Sequence, residues 1–187
     1  RNGYYNPKAH FKKIIDMETY LKSPVVSYPL KLYDSCPFSD GAAALILVNE
    51  DFLGKRSELV QVLSSVRSGS MAALQDREDF TGIPGARIAS EKAYEDTGLF
   101  KKGDGGKAEV EGLTHYDGKI PINTSGGLKA KGHPVSATGI AQMVEIYDQM
   151  LYRVDKNRQV SKPEIGMAHN VGATGGSVSV TILKRVK

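Results

Sequence analysis

The stretch that decides the fold is glycine-rich and runs straight into a long amphipathic segment: Asn123-Thr124-Ser125-Gly126-Gly127-Leu128-Lys129-Ala130-Lys131-Gly132-His133-Pro134. From Pro134 to about Tyr152, apolar residues recur at three- and four-residue spacing, which predicts a helix. Proline is well tolerated at the first helical position, so we expect the helix to begin at Pro134. Gly139 would weaken this helix by about 1 kcal/mol relative to alanine, which predicts a close-packing reason for the glycine.

His133 is the residue of this stretch best suited to chemistry. At a helix N-terminus, the dipole and the free N–H groups disfavour a positive imidazolium. A neutral imidazole can act as a general base or as a hydrogen-bond donor. The spacing alone favours a capping or packed histidine over a catalytic one. The Gly126-Gly127 pair lacks the Walker and dinucleotide fingerprints, so we expect no nucleotide site of those kinds.

A second glycine-rich segment lies near the end of the chain, where His169-Asn170-Val171-Gly172 leads into a turn over residues 172–176. Glycines in such a turn let backbone N–H groups point at a ligand oxygen, as an oxyanion hole requires. The flanking residues, Ile165–Val171 and Ser177–Leu183, predict two strands. In the second strand apolar and polar residues alternate, which predicts one buried face carrying Val178, Val180 and Ile182.

The rest of the chain mixes strand and helix signals. Residues 1–34 combine Asn-Pro and Ser-Pro turns with short apolar pieces, which indicates an extended arm. The apolar run Ala42–Val48 is typical of a strand buried on both faces, and Glu58–Val66 predicts another strand. Arg87–Thr97 predicts a helix that stops at Gly98. Together these elements indicate a layered α/β fold.

Composition excludes several classes of protein. The 187 residues are 40% hydrophobic and 25% charged, which is typical of a globular domain. The 25 Lys and Arg against 21 Asp and Glu are spread along the chain, so we expect no nucleic-acid partner. No apolar run approaches the roughly 18 residues that cross a bilayer, so we expect no membrane partner. A single cysteine, Cys36, argues against a disulfide framework and a cysteine zinc site, and it fits a cytoplasmic protein.

Several segments resemble one family. The run from Asn123 through Gly139 resembles the histidine motif of thiolases, and Ser39-Asp40-Gly41-Ala42-Ala43-Ala44 resembles another stretch of that family. With the segment from His169 to Gly172, and with Asn2-Gly3 and Asn6-Pro7-Lys8-Ala9, the chain looks most like archaeal acetyl-CoA acetyltransferases and sterol-carrier-protein thiolases. The resemblance covers the second half of a family subunit. It implies a mixed β-sheet packed between α-helices, with residues 1–38 as an arm contacting the other half and residues 39–187 as the C-terminal domain.

The resemblance also implies a reaction. Thiolases transfer acyl groups between coenzyme A thioesters, by Claisen condensation or thiolysis, through an acyl-enzyme on a cysteine. His133 would deprotonate that cysteine and a Gly172 N–H would stabilise an oxyanion. The implied catalytic residues are His133, Gly172, Asn170 and His169, and the implied coenzyme A contacts are Ser125, Gly126 and Gly127. Coenzyme A thioesters would be substrates, with no permanently bound cofactor and no metal.

Two of the chain's departures from the family bear directly on its activity. The nucleophilic cysteine belongs to the first half of the subunit and Cys36 does not match its motif, so we expect this chain alone to be inactive. We expect it to need an N-terminal half carrying that cysteine, in the same or a separate chain. After Gly98 and Leu99, a strand, an acid/base motif and a helix of the family are missing.

The resemblance implies a homo- or hetero-oligomer that serves the mevalonate route to isoprenoids, with hydroxymethylglutaryl-CoA synthase and a bridging protein as further partners. Two alternatives stay open. One is a sterol-carrier-protein-like 3-ketoacyl-CoA thiolase or a related aldolase acting on longer acyl chains. The other is a non-catalytic, thiolase-like scaffold subunit.

Overall fold

The computed structural model describes residues 1–54, 58–78, 83–86 and 105–186. The chain divides into two compact units whose segments alternate along the sequence. The first contains Arg1–Ala43, Lys102–Thr138 and Arg153–Ser161, and the second contains Ala44–Lys101, Gly139–Tyr152 and Lys162–Lys187. The predicted helix over Arg87–Thr97 and the predicted gap near residues 98–100 lie outside the described residues. The predicted division into an arm over residues 1–38 and a domain over residues 39–187 stays a prediction.

The first unit is built from short elements. Helix α1 (Met17–Lys22) begins after Asp16, whose side chain accepts a hydrogen bond from the Thr19 N–H at 2.8 Å. An antiparallel hairpin of β1 (Val25–Ser27) and β2 (Leu30–Lys31) follows. The later elements are α2 (Gly105–Val110) and α3 (Gly127–Lys131). Single 3₁₀ turns occur at Asn2–Tyr5, Leu32–Asp34 and Lys156–Arg158.

The second unit contains an antiparallel sheet of three strands. These are β3 (Leu59–Gly69), β4 (Ile165–Gly172) and β5 (Ser177–Val186), with β5 in the centre. Val178 and Val180 of β5 are fully buried, and Val66, Ile83, Ala86, Met167 and Val171 pack against them. The strands expected at residues 58–66, 165–171 and 177–183 are confirmed, and each continues beyond its predicted end. Further 3₁₀ turns occur at Glu50–Phe52 and Leu74–Asp76.

Helix α4 (Thr138–Met150) lies close against β4. A Cβ on Gly166 would overlap Ile146 and would come within 3.1 Å of Met150 Cε. The glycine therefore lets the helix approach the strand at this point. Met150 is fully buried and Ala168 of β4 is 6% exposed, so the contact is part of the core of this unit.

The predicted start of the long helix is wrong. The helix begins at Thr138, whereas residues 135–137 form a turn after Pro134. The Pro134 carbonyl accepts from the N–H groups of both Ala137 and Thr138, at 2.9 and 3.0 Å. Because this carbonyl is shared, it closes an irregular turn before the regular helical hydrogen bonds begin. A proline shows where a helix is able to start, but it does not fix the hydrogen bonds that follow it.

The strand predicted at Ala42–Val48 is also wrong. These residues have no regular secondary structure, and Ile46 and Leu47 are 89% and 78% exposed. A continuous apolar run predicts burial, but it does not say which surface supplies that burial. Within residues 1–54, 58–78, 83–86 and 105–186, no strand pairs with this run.

The structure also bears on membrane insertion. In the part of the chain that is described, none of the helices has both the length and the apolar character needed to cross a bilayer.

Candidate functional site

The glycine-rich stretch before α4 follows a path that glycine permits. Gly126, Gly127 and Gly132 have positive φ values of 97°, 65° and 90°. Asn123 also has a positive φ, of 51°, and asparagine is among the residues that tolerate this region best. The left-handed backbone at these positions bends the chain around α3 before it reaches His133.

The first residues of the chain hold this stretch in place. The Asn6 side-chain amide donates to the Ser125 carbonyl at 2.9 Å, and the Asn2 amide donates to the Ile122 carbonyl at the same distance. Asn6 is 4% exposed and Ser125 is 7% exposed, so their hydrogen bond is shielded from water. A Cβ on Gly126 would come within 2.5 Å of Gly3 Cα. Residues 1–9 therefore form a clamp on the glycine-rich stretch.

A second contact lies directly before the histidine. A Cβ on Gly132 would overlap Ser39 Oγ and would lie 3.5 Å from the His10 ring. A Cβ on Gly41 would come within 3.1 Å of the Pro134 ring. The segment around Ser39 and Gly41 and the stretch from Gly132 to Pro134 are thus neighbours in the first unit. Their glycines allow the close approach.

The His133 ring is partly buried and hydrogen-bonded through one nitrogen. Its Nδ1 lies 2.7 Å from Thr138 Oγ1. The Thr138 hydroxyl donates to the Pro134 carbonyl at 3.1 Å, and Thr138 is 2% exposed. Because α4 begins at Thr138, His133 lies five residues before that helix. The predicted position of His133 at the helix N-terminus is therefore wrong, and the hydrogen bond to Thr138 orients the imidazole.

The other predicted site residues lie on β4 in the second unit. His169 and Asn170 are consecutive, so their side chains point to opposite faces of the sheet. Asn170 shares a face with Gly166 and Ala168, the face that packs against α4. His169 shares the other face with Met167 and Val171, which pack against the core valines. The strand therefore separates the two side chains.

Asn170 lies against the first turn of α4. A Cβ on Gly139 would come within 3.2 Å of Asn170 Nδ2 and within 3.4 Å of its Cγ. Such distances are tighter than an ordinary van der Waals contact. The predicted close-packing reason for Gly139 is confirmed, and its partner is the asparagine side chain.

His169 has an exposed side chain, and its backbone is tied to α4. Its carbonyl accepts from the Gln142 side-chain amide at 3.1 Å, which ties β4 to α4. Partial desolvation lowers the pKa of His169 below its ordinary value of 6.5. The ring thus favours the neutral form more than a fully solvated histidine does.

The turn after β4 spans residues 173–176, one residue shorter than predicted, because Gly172 belongs to the strand. Gly172 is paired with Ser177 at the end of the sheet, and the Gly175 N–H donates to the Gly172 carbonyl at 3.0 Å. Ala173 and Gly175 have positive φ values of 48° and 93°. The backbone therefore reverses within four residues through two left-handed positions.

The predicted site residues thus fall into two groups. Ser125, Gly126, Gly127 and His133 lie in the first unit, and His169, Asn170 and Gly172 lie in the second. Their roles in catalysis and in coenzyme A binding stay predictions. Sequence reasoning missed Thr138, although a threonine at the start of a helix, five residues after a histidine, was the available signal. Cys36 is exposed and free, and no cluster of potential metal ligands occurs in the described ranges.

A partly buried imidazole with one nitrogen fixed, in a glycine-rich loop of an α/β protein, is the kind of site that serves acid–base chemistry. Comparison with known proteins gives the family. The thiolase C-terminal domain-like family matches residues 86–185, and the chain belongs to the thiolase family.

Similar proteins extend the match over nearly the whole chain. Acetyl-CoA acetyltransferase of Methanothermobacter thermautotrophicus is 39% identical over 98% of this chain and 55% of its own length. The protein of the same name from Methanocaldococcus jannaschii is 36% identical over 97% of this chain and 55% of its own length. Sterol carrier protein 2 of Bos taurus is 32% identical over 98% of this chain and 40% of its own length. The chain spans about half the length of these relatives, or less.

Proposed function

We propose that the chain is the histidine-bearing half of an acetyl-CoA acetyltransferase, which transfers acyl groups between coenzyme A thioesters. The observation that carries the proposal is the fixed imidazole of His133, in a loop whose backbone is held by residues 1–9 and by Ser39. The identity of 39% to an acetyl-CoA acetyltransferase over 98% of the chain supports the choice of reaction.

The proposed reaction starts with a cysteine thiol supplied by the other half of the subunit. His133 Nε2 accepts the thiol proton, and the thiolate adds to the carbonyl carbon of an acyl-coenzyme A. The carbonyl oxygen becomes an oxyanion, which then re-forms the carbonyl as the bond to the coenzyme A sulfur breaks. The proton held on His133 passes to the leaving sulfur, so that an acyl-cysteine and free coenzyme A remain.

The proposed roles of the other residues follow from the same step. The Gly172 N–H would donate to the oxyanion, and a donor of this kind contributes about 10²- to 10³-fold in rate. Asn170 and His169 complete the proposed catalytic set on β4. Ser125, Gly126 and Gly127 are the proposed contacts of coenzyme A.

The proposal requires a partner half that carries the cysteine. The chain spans about half the length of its archaeal relatives, which supports such a partner. The exposed run of Ile46, Leu47 and Val48 supports it further, because contiguous apolar side chains left in water usually mark an interaction surface. The free Cys36 is compatible with the cytoplasmic location we propose.

A shortened acid/base segment also belongs to the proposal. The alignment with the Methanothermobacter protein runs over 212 positions, more than the 187 residues of this chain. This supports the inference that relatives contain residues without a counterpart here. We infer that the chain is inactive alone and that the shortened segment reduces its activity even beside the cysteine-bearing half.

The test is thiolytic cleavage of acetoacetyl-CoA by the chain together with the cysteine-bearing half. We expect turnover with the pair and none with the chain alone. His133→Ala should lower turnover by at least about 100-fold with the fold intact, the usual size of a general-base effect. His115→Ala is the matched control, because His115 is also partly buried and also hydrogen-bonded through Nδ1, to Arg1 at 3.1 Å.

The match to sterol carrier protein 2 supports a second candidate function, that of a sterol-carrier-protein-like 3-ketoacyl-CoA thiolase. The same assay with a long-chain 3-ketoacyl-CoA separates the two candidates. A higher kcat/KM for the long substrate would select the sterol-carrier-protein-like thiolase. An absence of turnover with both substrates, with the cysteine-bearing half present, would overturn the catalytic proposal and leave a scaffold subunit.

A further inference from the structure

The hydrogen bonds of Thr138 indicate which ring nitrogen of His133 carries the hydrogen. Thr138 Oγ1 lies 2.7 Å from His133 Nδ1 and 3.1 Å from the Pro134 carbonyl oxygen. A hydroxyl at the start of a helix commonly bonds back to the carbonyl four residues earlier, and Thr138 does so. With 2% of its surface exposed, Thr138 is shielded from water that could compete for either bond.

The number of available hydrogens fixes the direction of both hydrogen bonds of Thr138. The Thr138 hydroxyl has one proton, and the Pro134 carbonyl can only accept. If the proton points at the carbonyl, the hydroxyl offers a lone pair to His133, and Nδ1 must carry the hydrogen. If the proton instead pointed at Nδ1, two oxygen atoms would face each other at 3.1 Å with no hydrogen between them. The first arrangement forms two hydrogen bonds and the second forms one.

We propose that Thr138 is a positioning residue that holds the neutral His133 ring in the Nδ1–H form and so reserves the Nε2 lone pair for the thiol proton. The inference rests on the proposed function. The tautomer of a histidine is set by the hydrogen bond that its other nitrogen makes, and here that bond comes from the same turn of chain that leads into α4.

The arrangement also suits the charged intermediate. When Nε2 takes the thiol proton, Nδ1 keeps its hydrogen and Thr138 continues to accept it. No group needs to rotate between the neutral and the charged ring, so the loop is preorganised for both states. Thr138 acts only through His133 and contacts no substrate in this scheme.

The first experiment measures the tautomer without any substitution at Thr138. The chain is labelled with ¹⁵N-histidine, combined with the cysteine-bearing half, and its four histidines are compared by ¹⁵N NMR at a pH where the rings are neutral. His133→Gln identifies the His133 signals. We expect a protonated Nδ1 and an unprotonated Nε2. A protonated Nε2 with a bare Nδ1 would overturn the proposal.

The second experiment removes the hydroxyl. Thr138→Val keeps nearly the same shape, and we expect it to lose the tautomer preference and to lower kcat at least about tenfold while KM changes little. Thr138→Ser keeps the hydroxyl and should stay within a few-fold of the parent in kcat. Unchanged kcat and unchanged ¹⁵N shifts in folded Thr138→Val would refute the role.

The two experiments also separate this proposal from the proposed function. If the unsubstituted pair cleaves no thioester, the proposed function fails, while the ¹⁵N spectrum still decides the tautomer. If Thr138→Val does not fold, the unsubstituted spectrum remains the deciding measurement. Turnover in the parent with the wrong tautomer refutes the role of Thr138 alone.

Discussion

At the scale of single residues, Gly132, which directly precedes His133, has no room for a side chain. Its φ is 90°, and a Cβ would overlap Ser39 Oγ. Gly54 also has a positive φ, of 59°, but a Cβ there would meet no atom of the described residues within 4 Å beyond its chain neighbours. The two positions thus share a positive φ and differ in packing.

Gly132→Ala should therefore cost more than Gly54→Ala. Both substitutions place alanine at a positive φ, at about 1 kcal/mol or more, and Gly132 also has a ψ of 171°, in a region that only glycine adopts readily. Only Gly132→Ala adds overpacking, which typically costs about 1–3 kcal/mol. Urea unfolding of the two variants measures the difference. Equal free energies of unfolding would mean that Ser39 moves aside without cost.

His169 gives a prediction about pH. Desolvation lowers its pKa in the folded state below 6.5, so the unfolded chain binds more protons in that range. Its contribution to stability is fully present above pH 6.5 and is lost as the pH falls through the folded value. We expect the parent to lose more free energy of unfolding between about pH 7.5 and about pH 5.5 than His169→Gln loses. Identical pH dependence in both proteins would contradict this.

At the scale of elements, the first turn of α4 and the end of β4 meet at Gly139 and Asn170. In an isolated helix, Gly139→Ala would gain up to about 1 kcal/mol. Here a Cβ would come within 3.2 Å of the Asn170 amide, so part of that gain should be lost. A double-mutant cycle with Asn170→Ala measures the coupling, and we expect at least about 0.5 kcal/mol. An equal effect of Gly139→Ala in both backgrounds would show that the contact carries no energy.

The elements also show which features the sequence could predict. Strand patterns in the sequence located β3, β4 and β5, and in β5 apolar and polar residues alternate because one face must meet a core. The start of α4 was misplaced by four residues, because the Pro134 carbonyl is shared by Ala137, Thr138 and the Thr138 hydroxyl. Such a network depends on three-dimensional geometry, and periodicity does not contain it.

The sequence likewise indicated some residues of the candidate site and missed others. His133 and the second segment on β4 were found from residue type and local glycine content. Thr138 was missed, because the spacing of five residues does not by itself show that its hydroxyl lies 2.7 Å from His133 Nδ1. The clamp of Asn2 and Asn6 was missed as well, since each bridges more than a hundred residues of sequence to reach its carbonyl partner.

At the scale of the whole molecule, the apolar run over residues 44–48 has no cover within the described ranges. Ile46 and Leu47 are 89% and 78% exposed, although their sequence predicts burial. The sequence predicted a strand buried on both faces, whereas the run is irregular and exposed. A stretch of this kind is costly in water, at about 25 cal/mol per Å² of apolar surface.

Leu47→Asp tests whether that surface is the proposed cysteine-bearing half. A charge in a buried apolar interface is strongly unfavourable, so we expect the variant to weaken association with that half at least about tenfold. Gln75→Asp is the matched control, since Gln75 is exposed in the same unit and its residue is already polar. Association is measured by sedimentation of the mixed chains, and thiolysis of acetoacetyl-CoA should fall in parallel. If Leu47→Asp and Gln75→Asp bind the partner equally well, the run faces some other surface and the proposed interface is wrong.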